Sequence, residues 1–281
     1  MSREVDAVMV DFFDSEVKRA YGDYRVLGDT VYTKTGVTGK TAYFNKKGKG
    51  LATLHNPGAD VVAMNTDFSR VSCTLKDWEA FDYADKFDAK KINFTELTEL
   101  AEVAADTIGL RMDQIIIDAI NSGYDSVNNL VGLATADLTV ATLLSGKKIL
   151  DENGVPMKDR YFIHTAKQLE DLLNTTAVTS SDYNSVKTLV NGEVDTFLGF
   201  KFILIATRRE GGLPSTGSGS DIGDIGFMYH KRAIGQAIGM NMETEMTWIP
   251  EKRAYLVGAE FSSAAVVIDD DGIVGVVSQQ D

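Results

Sequence analysis

The apolar positions change period several times along the chain, and each change marks an element. Residues 3–21 place Val5, Val8, Met9, Phe12, Phe13, Val17 and Tyr21 near one side of a helix, which predicts an amphipathic N-terminal arm. Residues 30–66 lose that period. Val31-Tyr32-Thr33, Thr41-Ala42-Tyr43-Phe44 and Leu51-Ala52-Thr53-Leu54 are short β-prone runs separated by Gly36, Gly39, Gly48, Gly50 and Gly58. They predict a long twisted hairpin projecting from the body. An isolated hairpin is marginal in water, so this one is expected to rest against a partner. Residues 68–76 then alternate, with Val71, Cys73 and Leu75 on one side, and the acidic stretch Asp77, Glu79, Asp82, Asp85 and Asp88 follows.

The clearest element begins at Asn93-Phe94-Thr95-Glu96, a capping signal, and runs to Gly123. Leu97, Leu100, Ala101, Ala104, Ile108, Met112, Ile115 and Ala119 share one face; Glu96, Glu99, Glu102, Asp106 and Asp113 fall opposite. At 1.5 Å per residue this helix is about 40 Å long, a structural spine. A second helix is predicted over 135–150, a strand over 160–164 after the Pro156 turn, and a helix capped by Thr165. Phe200 to Ile205 reads as a strand introduced by Gly199, and residues 211–223 as a mobile Gly/Ser-rich loop. A helix over 229–238 follows, then strands over 243–248, 255–261 and 265–268, an Asp269-Asp270-Asp271-Gly272 turn, and a last strand over 273–277.

Charge sharpens the picture more than composition does. The 281 residues include 44% hydrophobic and 25% charged residues, enough for a packed core. No apolar run is long enough to span a bilayer, and the start is not a secretion signal. One cysteine, Cys73, excludes an intrachain disulfide and a multi-thiolate zinc site, and fits a reducing place of synthesis. The net charge is -13, a poor general binder of nucleic acid. Residues 30–59 carry Lys34, Lys40, Lys46, Lys47 and Lys49 and no acid, so this segment is +5 and the rest of the chain -18. A basic arm is attached to an acidic body. Lys40, Lys46, Lys47 and Lys49 are therefore expected to meet acid on an adjacent copy, with Glu96, Glu99, Glu102 and Asp106 of the spine helix as first candidates. Exposed pairs contribute about 0–1 kcal/mol each, so steering and register matter more than strength.

Catalytic motifs fail on inspection. Gly39-Lys40-Thr41 resembles the end of a phosphate-binding loop, but Lys34 stands where the first glycine must be, and a hairpin bend is the plainer reading. The glycines at 217–223 miss the dinucleotide fingerprint by one residue. His55, His164 and His230 have no metal-ligand spacing, and Cys73 reads as a small buried hydrophobe. Asp269-Asp270-Asp271 lacks the spaced ligands of a calcium loop and reads as a solvated turn. No cofactor or metal is implied.

One ordered set of short motifs is specific. Val155-Pro156-Met157-Lys158-Asp159-Arg160-Tyr161-Phe162-Ile163 is followed by Leu172-Leu173, Asp182-Tyr183, Asn191-Gly192-Glu193-Val194 and Gly199-Phe200-Lys201-Phe202-Ile203, then by Tyr229 to Gly235 and the closing Ile268 to Val274. This succession, with the order of elements, resembles the major capsid proteins of tailed bacteriophages, the Hong Kong 97-type fold also found in encapsulins. The resemblance covers nearly the whole chain. It implies an α+β fold with an N-terminal arm (1–29), an extended loop (30–66) lying over a neighbour, and a peripheral domain with the spine helix (67–150 and 240–281). It also implies an axial domain (151–239) whose loops meet at ring centres. The implied function is a structural shell subunit, not an enzyme: pentamers and hexamers forming an icosahedral head around double-stranded DNA, without sequence-specific DNA binding. Implied partners are further copies of the chain, a portal protein, a separate scaffolding protein because no space precedes the hairpin for an internal one, and a decoration or cement protein. The implied place is the virion, after synthesis in the bacterial cytoplasm. The alternatives are an encapsulin-type shell and a soluble nucleotide-binding enzyme.

Overall fold

The computed structural model describes residues 25–85 except 49, 59, 62 and 65, residues 96–174, and residues 196–280 except 207, 209, 219 and 220; the side chains at 85, 96–99 and 101 are also outside it. The expected arm helix over 3–21 thus lies outside the described residues. In chain order the strands are β1 (Tyr32–Thr35), β2 (Thr41–Lys47), β3 (Phe68–Thr74), β4 (Lys76–Asp85), β5 (Leu130–Gly132), β6 (Arg160–His164) and β7 (Thr196–Phe197). They continue as β8 (Phe200–Leu204), β9 (Ser215–Ser218), β10 (Asp221–His230), β11 (Ile234–Ile249), β12 (Ala254–Val267) and β13 (Ile273–Gln279). The helices are α1 (Glu96–Gly123), α2 (Val140–Glu152) and α3 (Ala166–Asn174).

A seven-stranded mixed sheet runs β5-β13-β10-β6-β8-β7, with β9 paired to β10. Its central strand β10 is buried on both faces, and its side chains alternate between two cores. Ile225, Phe227 and Tyr229 join Ile163, Ile273 and Val277 on one face, where Ile116, Ile117 and Ile120 of α1 cover them. Met228 joins Phe162, Val274 and Val276 on the other, under Leu143 and Leu150 of α2 and Leu172 of α3. Thr165 and Gln168 cap α3 reciprocally: the Gln168 N–H donates to the Thr165 hydroxyl at 3.3 Å, and the Thr165 N–H donates to Gln168 Oε1 at 3.1 Å. The same buried amide donates to the carbonyl oxygens of Asp224 (3.2 Å) and Val276 (3.4 Å), so one side chain caps the helix and docks it on the sheet.

The motif around Pro156 has a physical reason. Arg160 is buried and donates to the Pro156 and Val155 carbonyls at 2.9 and 2.6 Å, with Asp151 ion-paired at 2.7 Å. It holds the turn that leads from α2 into β6. Leu198-Gly199 form a two-residue turn between β7 and β8, with φ +54 and +88, as a twisted hairpin requires.

A second sheet runs β1-β11-β12-β4. The 28 residues of α1 span about 42 Å across both sheets. Its first half buries Ala105, Ile108 and Met112 against Val257, Ala259 and Phe261 of β12. Its second half turns a different face, Ile116, Ile117 and Ile120, to the seven-stranded sheet. A helix serving two cores needs two stripes, which is why Ile115 and Ala119, expected on the buried face, are only half-buried.

Several expected elements differ. The run 229–238 is not a helix: β10 ends at His230, a short 3-10 turn covers Lys231–Ala233, and β11 begins. Pairing with β12 and β1 overrides local preference there. The Gly/Ser stretch is not simply a loop: Ser215–Ser218 pair with β10 through Gly217 opposite Ile222. The strands expected over 243–248, 255–261 and 265–268 are parts of two long strands, β11 and β12. Val31-Tyr32-Thr33 contributes to β1, which pairs with β11 and not with the hairpin. Leu51 to Leu54 form no strand. The acidic stretch after Leu75 forms β4 as far as Asp85, and Asp88 lies outside the described residues. The second helix starts at Val140, capped by Thr139. Residues 130–150 and 273–279, placed in the peripheral part by the resemblance, lie in or on the seven-stranded sheet.

Candidate functional site: the projecting ribbon and the spine helix

The ribbon β2–β3 pairs in antiparallel register from Thr41↔Thr74 to Lys47↔Phe68. Alternation divides its side chains. Ala42, Phe44 and Cys73 are buried against Ala237 and Ala264 and fasten the root to β11 and β12. Burial raises the Cys73 thiol pKa, as fits an apolar packing role. Beyond the root, cover ends. Leu51 (81%), Leu54 (91%), Val61, Met64 and Phe68 are exposed, a run of large apolar side chains that nothing among the described residues hides. The Gly39-Lys40-Thr41 fragment is a bend: Gly39 has φ +93, and a strand, not a helix, follows Lys40.

The lysines behave differently from one another. Lys46 reaches back to its own chain, 3.0 Å from Asp269 and 2.8 Å from Asp270, although an adjacent copy was the expected partner. Burial lowers its pKa, but hydrogen bonds and charges of Asp270 and Asp269 outweigh this and leave it raised. Lys46's hydrogen bond in turn holds Asp270 below the usual carboxylate value, against burial. The acidic turn is thus a tie and not only a solvated loop: Asn129 and Asn153 donate to the carbonyls of Asp270 and Asp271 at 3.0 and 2.9 Å. Lys40 and Lys47 are exposed on the ribbon, and Lys49 lies outside the described residues. Of the expected acids, Glu102 is exposed and Asp106 half-buried, while the Glu96 and Glu99 side chains are outside the described residues. The ribbon's described ion pair is that of Lys46 with Asp269 and Asp270.

Asp113, expected on the solvated acidic face, is fully buried. Its carboxylate accepts from the Val26 N–H at 3.1 Å and the Leu27 N–H at 3.0 Å, and pairs with Arg208 at 3.4 Å. Burial raises its pKa, while the two N–H groups and the charges of Arg208 and Arg25 oppose that rise. Next to it the Arg208–Gly212 segment is stitched across α1. Glu210 pairs with Arg111 at 3.2 Å, and Gln114 accepts from the Gly212 N–H at 2.8 Å and donates to its carbonyl at 3.1 Å. Arg111 also lies over the Trp78 ring at 3.7 Å. None of these links carries a local sequence signal, because their partners are distant in the chain.

On its side toward β4, α1 leaves clefts of different size. One of about 480 Å³ is lined by Lys76, Trp78, Arg111, Asp118 and Ser263; another of about 210 Å³ by Ala80, Phe81, Leu100 and Val103. His164 and His230 are each a hydrogen-bonded side chain whose pKa burial lowers. Among the described residues no group of three or more His, Cys, Asp or Glu is placed to hold a metal ion. No described helix is long and apolar enough to cross a membrane.

The fold is that of known shells. The head of Helicobacter pylori bacteriophage KHP40 superposes with a TM-score of 0.73 at 13% identity, over 93% of this chain and 92% of that one. The capsid of the cyanophage P-SCSP1u gives 0.70 at 14% identity over 92% and 89%. A virus-like particle from Pyrococcus furiosus gives 0.64 at 11% identity over 95% and 98%. No curated protein matches the chain. The architecture is the Hong Kong 97-type capsid fold. The family model described as phage capsid protein matches residues 5–279. The chain belongs to that family and is a structural major capsid protein, the subunit of a multimeric shell.

Proposed function

We propose that copies of this chain close pentameric and hexameric rings, and that the rings close an icosahedral head around packaged double-stranded DNA. The observation that carries this reading is the exposed apolar run Leu51, Leu54, Val61, Met64 and Phe68 at the end of the ribbon. Nothing among the described residues covers it, and a patch of that kind marks an interface. The ribbon and its loop (30–66) lie over a neighbouring copy, with Lys40, Lys47 and Lys49 steering toward acid on that copy, Glu96, Glu99, Glu102 and Asp106 first. Arms that reach several neighbours add weak contacts through multivalency. The part built on α1 and the four-stranded sheet is peripheral, and the part built on the seven-stranded sheet is axial.

The body's net negative charge keeps DNA enclosed without tight adhesion. The subunit has no catalytic role. A separate scaffolding protein directs assembly, a portal protein occupies one vertex, and a decoration protein adds to the surface. Synthesis takes place in the host bacterial cytoplasm. Electron microscopy of the purified chain, alone and with its scaffolding protein, tests the reading. Closed shells with ring-shaped capsomers support it; only dispersed monomers under both conditions would overturn it.

A further inference from the structure

β4 ends the four-stranded sheet, and among the described residues no strand pairs with its outer edge. Ten residues of extended backbone there offer N–H and C=O groups to a further strand. The edge carries Asp77, Glu79 and Asp82, and beside it lies the apolar cleft of about 210 Å³ between Ala80, Phe81, Leu100 and Val103. Val103 on its rim is 58% exposed. Hydrogen-bonding template, apolar slot and negative charge thus coincide.

The complement is present in the same sequence. Leu51-Ala52-Thr53-Leu54 is β-prone yet belongs to no sheet. Lysines precede it, and no acid occurs between residues 30 and 59. In its own chain this segment does not pack on β4: Leu51 and Leu54 are 81% and 91% exposed. The ribbon leaves the body at Leu75, where β4 begins, and its seven paired residues carry the loop about 23 Å outward. The occupant of the β4 edge is therefore a second copy.

We propose that residues 51–54 of one copy add as a strand to the free edge of β4 in a neighbouring copy, seating one leucine in the cleft beside α1. In a strand Leu51 and Leu54 face opposite sides, so one of them takes the cleft and the other does not. Each copy gives a loop and receives one, a head-to-tail contact that closes rings. This inference rests on the shell-forming reading above.

Cysteine pairing in assembled shells tests it. In a Cys73→Ser background, Leu51→Cys/Val103→Cys and Leu54→Cys/Val103→Cys are oxidised after assembly and run on non-reducing gels. One of the two double variants is expected to give covalent chains of three or more subunits, while each single variant gives dimers at most. Shells in which neither double variant links, or in which both link equally, would overturn the proposal, because a strand presents only one of the two leucines to the cleft. If a double variant does not assemble, hydrogen exchange on unmodified shells decides: amides of 51–54 slowed at least about tenfold relative to the dissociated chain support it, and unslowed amides overturn it. Failure of the Cys73→Ser chain and of the unmodified chain to form any shell would instead strike the assembly reading itself.

Discussion

The seven-stranded sheet and the β2–β3 ribbon draw on the same β-forming residues, yet one hides its apolar side chains and the other shows them. Phe227, Met228 and Tyr229 alternate into two cores, each covered by helices of the same chain. The ribbon buries Ala42, Phe44 and Cys73 at its root and then leaves Leu51 and Leu54 exposed. The first region finds its cover within one copy, and the second finds none among the described residues. The division also explains the charge pattern. Fixed charges that hold the body, such as Asp113 with Arg208, are buried, whereas Lys40 and Lys47 of the ribbon are exposed.

The sharpest way to break the comparison is to injure the body. Phe227→Ala removes a fully buried ring from beneath α1 and is expected to cost about 4 kcal/mol, lowering the Tm of the isolated chain by roughly 10 °C. Asp113→Ala leaves two backbone N–H groups and Arg208 without their acceptor; a loss of about 3 kcal/mol is expected in urea unfolding. Gln168→Ala removes a cap and two ties to the sheet, for about 1–2 kcal/mol. Lys46→Met, at the boundary between the two regions, is expected to cost about 0–1 kcal/mol, because the pair is partly exposed.

The two aspartates also differ in sign with pH. Asp270 sits below the ordinary carboxylate value of 3.8, so its contribution is full above that value and is lost as pH falls through its native pKa. Lys46 is raised above 10.5, so its part is full below that value and is lost as pH rises through its native pKa. Asp113 is raised, so the native chain takes up this proton first, and that carboxyl favours the folded state increasingly as pH falls through its native value. Melting curves of Asp270→Asn and Asp113→Asn against pH should diverge from the parent in opposite directions between pH 6 and about 3. A common direction would contradict these assignments.

The spine helix was legible because its 3.6-residue period persists over 28 residues. The turn held by Arg160 was legible as a motif, although its hydrogen bonds were not. The region 229–238 has a helix-like sequence yet forms strand, because short apolar runs carry no decisive period. The burial of Asp113 was illegible because the N–H groups that need it lie 87 and 86 residues away. The Lys46 tie spans 224 residues, so its charge could be seen but not its partner. Leu51 to Leu54 have strand propensity, but a strand also needs an edge to pair with, and among the described residues no strand pairs with them.

One measurement tests the division between a self-sufficient body and a partner-dependent ribbon: the double variant Leu51→Ser/Leu54→Ser, followed by thermal unfolding of the isolated chain and by sedimentation of assembled particles. The account predicts an unfolding free energy within about 0.5 kcal/mol of the parent together with loss of sedimenting shells. A chain destabilised as much as Phe227→Ala, or shells that form in undiminished yield, would contradict it.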